Sequence, residues 1–431
     1  MKVLIIGASK SGSSICKLLL SKNYEVYITD NNKMENKIEL VELGANVYDC
    51  GHPDLLKNIK YDLIVKNPGI PYNVEFVKYF VDKGYLMYNE IEIASKFSDY
   101  EYGAITGTNG KTTTTTLLKE FLVKLNPNNH AVGNIGKPLS DIVLEYPDEK
   151  LTLALEVAAF QLLGMPTFKP KVSTIMNLTP DHLNYFKDID EYYQTKCLVY
   201  KNQDENDYFI KNIDDENILK YANDINCKVL TLSLNNNADL MIRDNSAYFK
   251  DIKLFELSDF NLVGKHNLYN ALTSASMAYI LGVNVIDIQE VIKNFKGVEH
   301  RLEYVCTKND VKYYNDSKGT NTDATIVALK AFEKPVILLA GGYDKKTGFN
   351  DLVSSFDKVK TMIVFGETKY QLKELYPDAI VVETMEEAII KANGLATYGD
   401  VVLLSPSCAS WDQFENFEKR GEIFKKLVKK L

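Results

Sequence analysis

Gly103-Ala-Ile-Thr-Gly-Thr-Asn-Gly-Lys-Thr112, continued by Thr113–Thr116, lies between an apolar run that ends at Thr106 and the helix-like stretch Leu117–Val123. A strand, a glycine turn, a lysine, a hydroxyl and a helix in that order make a cradle for phosphate. Gly107 and Gly110 let the backbone approach an anion closely, the N–H groups of Thr108, Asn109 and Thr113 surround it, and Lys111 adds a positive charge. Thr112 stands where a hydroxyl reaches a magnesium ion. The loop is a shorter variant, because Ile105 occupies the place of the first glycine in the common G-x-x-x-x-G-K-[ST] pattern. The alternative is an ordinary glycine turn with a surface lysine, and it leaves the joint order of elements unaccounted for.

With 431 residues the chain exceeds one core, and about three domains are expected. Hydrophobic residues at 45% and charged ones at 25% can build and solubilise large cores. A net charge of -8 argues against a nucleic-acid partner, and the basic run Lys425–Lys430 reads as the solvated face of a closing helix. Six cysteines at scattered spacings suit reduced thiols. No apolar run approaches the ~18 residues of a membrane span, and the chain enters a strand at once. A cytoplasmic protein without a membrane partner is therefore expected.

Upstream of the cradle, strand Lys2–Ile6, the loop Gly7–Gly12, the amphipathic Ser13–Leu20 and strand Tyr24–Thr29 open a doubly wound α/β domain. Ser9 replaces the second glycine of a dinucleotide fingerprint, so the loop reads either as a site for another phosphorylated ligand or as a structural turn. Asp30 could accept from a ribose or base, or cap the turn before Asn31. Strand Asp62–Lys66 delivers Asn67-Pro-Gly69 to the carboxyl edge of the same sheet, and Asn89–Tyr100 reads as a link to the next domain.

Downstream, Gly133-Asn-Ile-Gly136 is a tight polar turn. Strand Leu151–Leu155 ends in Glu156, a metal candidate because a strand end beside a phosphate loop is where a second magnesium-binding group is needed. Strand Val172–Met176 leads to Asn177-Leu-Thr-Pro-Asp-His182, whose histidine is suited to binding metal or orienting phosphate. Helix Ile189–Tyr200 carries Lys196, which alone would pass as a snorkelling surface lysine. Asn267 and Asn270 share one face of a long helix and could address one ligand, although capping accounts for Asn267 equally well. From about Val298 strands and helices alternate again as a second doubly wound sheet, with polar loops at Gly341–Lys346 and Ser405–Phe414.

Taken together, Thr106–Thr112, Gly133–Gly136, Glu156, Asp181-His182, Lys196, His266-Asn267 with Asn270, His300-Arg301 and Asn315–Lys318 resemble the Mur ligases along nearly the whole chain. The resemblance implies an α/β protein of three domains. Residues 1–98 would form a Rossmann-like UDP-substrate domain, 99–297 a P-loop ATPase-like domain for ATP, and 298–431 a Rossmann-like amino-acid domain. It implies an ATP-dependent amide-bond-forming enzyme of peptidoglycan synthesis acting through an acyl phosphate. Ser405–Phe414 with Phe417–Gly421 look like the members that add D-glutamate to UDP-N-acetylmuramoyl-L-alanine.

By the same resemblance, Lys111, Glu156, His182 and Lys196 are catalytic. Two magnesium ions fall to Thr112, Glu156, His182 and Lys196, the last as a carbamate, and Asn134, Asn267, Asn270, Arg301 and Asp316 match nucleotide contacts. Lys318, Thr320, Lys345, Ser410, Trp411 and Phe417 match the D-glutamate pocket, Ser13, Ser14, Asp30 and Asn67 the UDP site, and Gln161 a muramoyl contact. A monomer is expected. One departure stands out: Ala158 and Ala159 occupy positions where the family usually has serines, which removes hydroxyl contacts to the muramoyl substrate. A sister ligase for another amino acid or a folate-like acceptor, a nucleotide-binding regulator and a dehydrogenase are the other readings.

Overall fold

The computed structural model describes residues 1–181, 185–344 and 348–431. The chain packs as two compact units, Met1–Phe260 with Tyr269–Lys293, and Asn261–Leu268 with Asn294–Leu431. Three sheets organise them.

The first sheet is fully parallel, in the order Asn46–Tyr48, Glu25–Thr29, Lys2–Ile6, Leu63–Lys66, Met87–Tyr88. Its central strand is a buried β-branched run, as expected for a strand covered on both faces. The chain reverses direction across the sheet between Lys2–Ile6 and Leu63–Lys66, so the loops after these strands lie side by side at the switch point. Gly12 packs against the first of these loops. A Cβ there would lie 1.9 Å from the Gly7 carbonyl oxygen, so the loop can close only on glycine.

The second sheet has nine strands, and Glu101–Thr106 lies between Thr152–Glu156 and Val172–Ile175. All three run parallel, with Ile105 beside Glu156 and Thr106 beside Ile175, so their carboxyl ends form one edge. The helix after the cradle spans Lys111–Leu122 rather than starting at Leu117. Gly110, at φ 85, turns the chain into it, and the Thr114 hydroxyl donates back to the Gly110 carbonyl at 3.0 Å. Burial of Leu117, Leu118, Phe121 and Leu122 supplies what a threonine-rich first half lacks in helix propensity. The antiparallel strands Leu240–Arg243, Ser246–Phe249 and Ile252–Glu256 extend the sheet at its far side.

The segment read as a link is firmly packed. Its helix Glu90–Ala94 is buried throughout, and Glu92 accepts from the backbone N–H groups of Phe168 at 2.9 Å and Thr167 at 3.2 Å. Asn89 caps this helix at Glu92 and donates to the Gln161 carbonyl at 2.7 Å.

The second unit holds a six-stranded sheet in the order Glu303–Lys308, Val311–Asn315, Val401–Leu404, Val336–Gly341, Val359–Phe365, Ile380–Val381. The first pair is an antiparallel hairpin and the rest are parallel. Because Val401–Leu404 inserts between Val311–Asn315 and Val336–Gly341, the loops that follow these three strands meet at one edge. Among the described residues, no helix is long and apolar enough to cross a membrane.

Candidate active site

The cradle is built from two neighbouring strand ends. Gly107, at φ 139, has no room for a Cβ, which would lie 2.9 Å from the Met176 Cβ. The Thr108 N–H donates to the Asn177 carbonyl at 3.1 Å. Asn177 also grips the loop with its side chain: Oδ1 accepts from the Asn109 N–H at 2.9 Å and Nδ2 donates to the Asn109 carbonyl at 3.0 Å. Lys111 Nζ folds back onto the carbonyls of Gly107 at 2.8 Å and Thr108 at 2.9 Å. Thr112 and Thr113 follow on the first turn of the helix. On the other side Asn270 is buried and receives the Thr114 hydroxyl at 3.2 Å.

Glu156 ends the neighbouring strand and is 1% exposed. Asn134 reaches it twice, by its backbone N–H to the Glu156 carbonyl at 2.9 Å and by Nδ2 to Oε1 at 2.8 Å. Gly133 permits this approach, since a Cβ there would fall 2.3 Å from the Glu156 carbonyl oxygen. Oε2 of Glu156 is buried with no hydrogen-bond partner among the described residues. An orphaned carboxylate oxygen at a phosphate loop fits a cation ligand, because its desolvation is otherwise uncompensated.

Lys196 lies under the cradle, 1% exposed, donating to the Gly107 carbonyl at 2.9 Å and sitting 4.4 Å from the Tyr192 ring centre. Burial, with Lys111 as a second positive charge, holds its amine well below the ordinary lysine value. The amine is thus neither a snorkelling nor a surface lysine. His182 lies outside the described residues, as does Lys345.

In the first sheet, Ser13, Ser14, Asp30 and Asn67 gather around the first loop. Asp30 accepts from the N–H groups of Ala8 at 2.7 Å and Asn32 at 2.8 Å, which gives it a loop-shaping role. Ser13 donates to the Ala8 carbonyl at 2.8 Å, Ser14 to the Lys10 carbonyl at 2.9 Å, and Asn67 bonds Ser9. Lys66, which no sequence motif marks, is buried beneath the neighbouring Asn67–Ile70 loop and donates to the Asn67 carbonyl at 3.0 Å and the Ile70 carbonyl at 2.6 Å. A cavity of about 480 Å³ runs from Ser9, Lys10 and Asn67 to Asn134, Phe160 and Gln161. Gln161 faces it while its Oε1 accepts from the Ala158 N–H at 2.8 Å.

In the second unit, Asp316 is buried, accepting from the Ser405 hydroxyl at 2.7 Å and the Leu302 N–H at 3.2 Å. Burial pushes its carboxyl up to about 6 against the opposing pull of those bonds and of Arg301. Arg301 Nε is buried without a hydrogen-bond partner among the described residues. Asn267, read from the sequence as a ligand group or a cap, donates its amide to the Val263 carbonyl at 2.7 Å. Lys318 Nζ sits 5.8 Å from the Phe417 ring centre, Thr320 follows in the same turn, and Ser410 is buried at the start of a turn that exposes Trp411. The residue that joins these loops is Arg420, 0% exposed, whose place within Phe417–Gly421 gave no hint of a role. Its Nε donates to the Ser317 hydroxyl at 3.0 Å, and its terminal nitrogens donate to the carbonyls of Ser317 at 2.9 Å, Cys408 at 3.0 Å and Ala409 at 3.1 Å.

Comparison with known proteins places this geometry. The Mur ligase middle domain model matches residues 105–278, and the Mur ligase, glutamate ligase domain model matches residues 300–408. A UDP-N-acetylmuramoylalanine–D-glutamate ligase of Lactobacillus gasseri is 40% identical over 100% of this chain and 97% of its own length. The protein of that name from a Thermoanaerobacter species is 40% identical, covering 100% and 98%. The solved MurF ligase of Thermotoga maritima in complex with ADP shares the fold, with a TM-score of 0.61 at 18% identity over 94% of this chain and 95% of that one. The chain belongs to the Mur ligase family.

Proposed function

We propose that the chain is the ATP-dependent ligase that joins D-glutamate to UDP-N-acetylmuramoyl-L-alanine during cytoplasmic synthesis of peptidoglycan precursors. Its full-length similarity to ligases of that name carries the reading, and the meeting of Gly107, Glu156 and Lys196 at one sheet edge supports it. Residues 1–98 serve the UDP-linked substrate, 99–297 ATP and 298–431 the amino acid, in a protein that works as a monomer.

The γ-phosphate of ATP lies in the Gly107–Thr113 loop, where backbone N–H groups and Lys111 offset its charge. The muramoyl-alanine carboxylate attacks the γ-phosphorus, the bond from phosphorus to the bridging oxygen breaks, and ADP leaves behind an acyl phosphate. The amine of D-glutamate then adds to the acyl carbon, loses a proton, and phosphate departs with its oxygen. Every reactant is an anion, so the contribution of the protein is positioning and neutralisation. Thr112, Glu156, His182 and carbamylated Lys196 would hold two magnesium ions, which supply charge neutralisation at the phosphates. The orphaned Glu156 oxygen supports a cation there, and the desolvated Lys196 amine suits reaction with carbon dioxide.

Asn134, Asn267, Asn270, Arg301 and Asp316 contact the nucleotide. Ser13, Ser14, Asp30 and Asn67 frame the UDP site, Gln161 meets the muramoyl group, and Lys318, Thr320, Lys345, Ser410, Trp411 and Phe417 bind D-glutamate through cationic and hydroxyl donors. A panel of amino acids offered with ATP, magnesium and UDP-N-acetylmuramoyl-L-alanine tests the reading. Phosphate release is expected with D-glutamate, and a stronger response to another amino acid would reject the assignment.

A further inference from the structure

The segment Asn212-Ile-Asp-Asp215 follows strand Tyr208–Asn212 and contains no residue assigned above to any ligand. Its polar side chains nevertheless reach both elements that frame the cradle. Asn212 Nδ2 donates to the Met176 carbonyl at 3.2 Å, and Met176 is the residue against which Gly107 packs. Asp215 Oδ2 accepts from the Leu178 N–H at 3.0 Å, immediately after Asn177, and its Oδ1 caps the next helix at Ile218. Asp214 Oδ2 accepts the Tyr269 hydroxyl at 2.6 Å, immediately before Asn270. Asp214 is itself fixed by the Leu234 N–H at 2.7 Å and the Ser233 hydroxyl at 2.7 Å.

We infer that Asp214 is a positioning residue for the nucleotide site: through Tyr269 it fixes Asn270 beside Gly110, while its neighbours Asn212 and Asp215 fix the opposite wall at Met176–Leu178. Asp214 touches no reacting group in this arrangement. With the Asn236 amide at 3.3 Å as a further donor, this carboxylate is a rigid anchor, because each charge-assisted bond restricts the others. The Tyr269 hydroxyl links that anchor to the helix Lys265–Ile280, and Asn270 follows it directly in sequence. Tilting this helix start moves the Asn270 amide, whose Oδ1 lies where a Cβ on Gly110 would be only 2.6 Å away. The inference rests on the reading of the Gly107–Thr113 loop as the ATP site.

The test measures binding of Mg-ATP and the KM of all three substrates in the full chain carrying Tyr269→Phe, which deletes the hydroxyl and keeps the ring. Asp214→Asn is the second variant. Loss of a charge-assisted link predicts about tenfold weaker ATP binding and a matching rise in KM for ATP, with the other two KM values unchanged. A purely structural role would lower the melting temperature and the active fraction, reducing kcat with KM for ATP unchanged, and that result overturns the inference. Wild-type ATP affinity in Tyr269→Phe overturns it as well, even if Asp214→Asn fails to fold. Failure of the unaltered protein to bind Mg-ATP would instead refute the ATP site itself.

Discussion

Asn134 donates to one carboxylate oxygen of Glu156 at 2.8 Å, and the other oxygen is buried with no hydrogen-bond partner among the described residues. One half of the carboxylate is oriented by the protein and the other half is the oxygen proposed to meet a magnesium ion. Glu156→Gln keeps the Asn134 partner and removes the charge. Phosphate release should fall by about a hundredfold or more with the fold intact, since removal of a single preorganised charge-stabilising group costs that much. A magnesium titration that stays unchanged in this variant would contradict the metal assignment.

Lys196 is enclosed, bonded to the Gly107 carbonyl and stacked on Tyr192. Lys196→Ala should be inactive and regain part of its activity with added short carboxylates, which would substitute for the proposed carbamate. Activity that does not recover at any carboxylate concentration would argue that the lysine works as an amine.

Asn177 holds the cradle by two bonds to Asn109. Asn177→Ala leaves the loop without them, and ATP should bind about tenfold more weakly, as expected from the loss of one to two buried hydrogen bonds. Isothermal titration with ATP and magnesium measures it.

Glu90 is buried at the edge of the substrate cavity, accepting from the Ser140 N–H at 2.5 Å and hydroxyl at 2.7 Å, and burial pushes its carboxyl from 4.5 up to about 7. The folded chain therefore holds this proton more tightly than the unfolded chain. The contribution of Glu90 to stability is fully present below pH 4.5 and is lost as pH rises through about 7. Glu90→Gln, whose amide oxygen can keep both donors, should remove this decline. Melting temperatures of the two proteins between those limits should converge at low pH and separate at neutral pH, with the variant higher.

Arg420 joins the loop after Asn315 to the loop after Leu404 through four bonds. Arg420→Ala takes the guanidinium donor from the carbonyls of Ser317 and Cys408, while the Ala409 carbonyl keeps the Tyr343 N–H and the Ser317 hydroxyl keeps the Phe417 carbonyl, and unfolding of the second unit should become easier by about 3 kcal/mol. Denaturant titration reads this directly.

The cradle was legible in the sequence because its chemistry is local: glycines, lysine and threonine act within a few residues of one another. The position of Glu156 was legible because a buried strand that ends in an acid next to such a loop sets a carboxylate at the same sheet edge. Asn177, Lys66, Asp214 and Arg420 were not assigned, since their partners lie far along the chain and no local pattern marks them. Asn177 meets Asn109 across 68 residues, and Arg420 meets Ser317 across 103. The strands Asn46–Tyr48 and Met87–Tyr88 are too short to show a period, and they are fixed by pairing with their neighbours. The buried acids of Glu90–Ala94 looked like a polar link because burial of a charge is visible only with its donors in place.

Direct transfer of the γ-phosphoryl group to the muramoyl-alanine carboxylate is the central step of the proposed reaction. UDP-N-acetylmuramoyl-L-alanine carrying heavy oxygen in that carboxylate, incubated with the protein, ATP, magnesium and D-glutamate, decides it by mass spectrometry of the released phosphate. Phosphate bearing one heavy oxygen from the carboxylate is the predicted result. Phosphate that contains oxygen from water and none from the substrate would contradict the acyl-phosphate route and the site built around it.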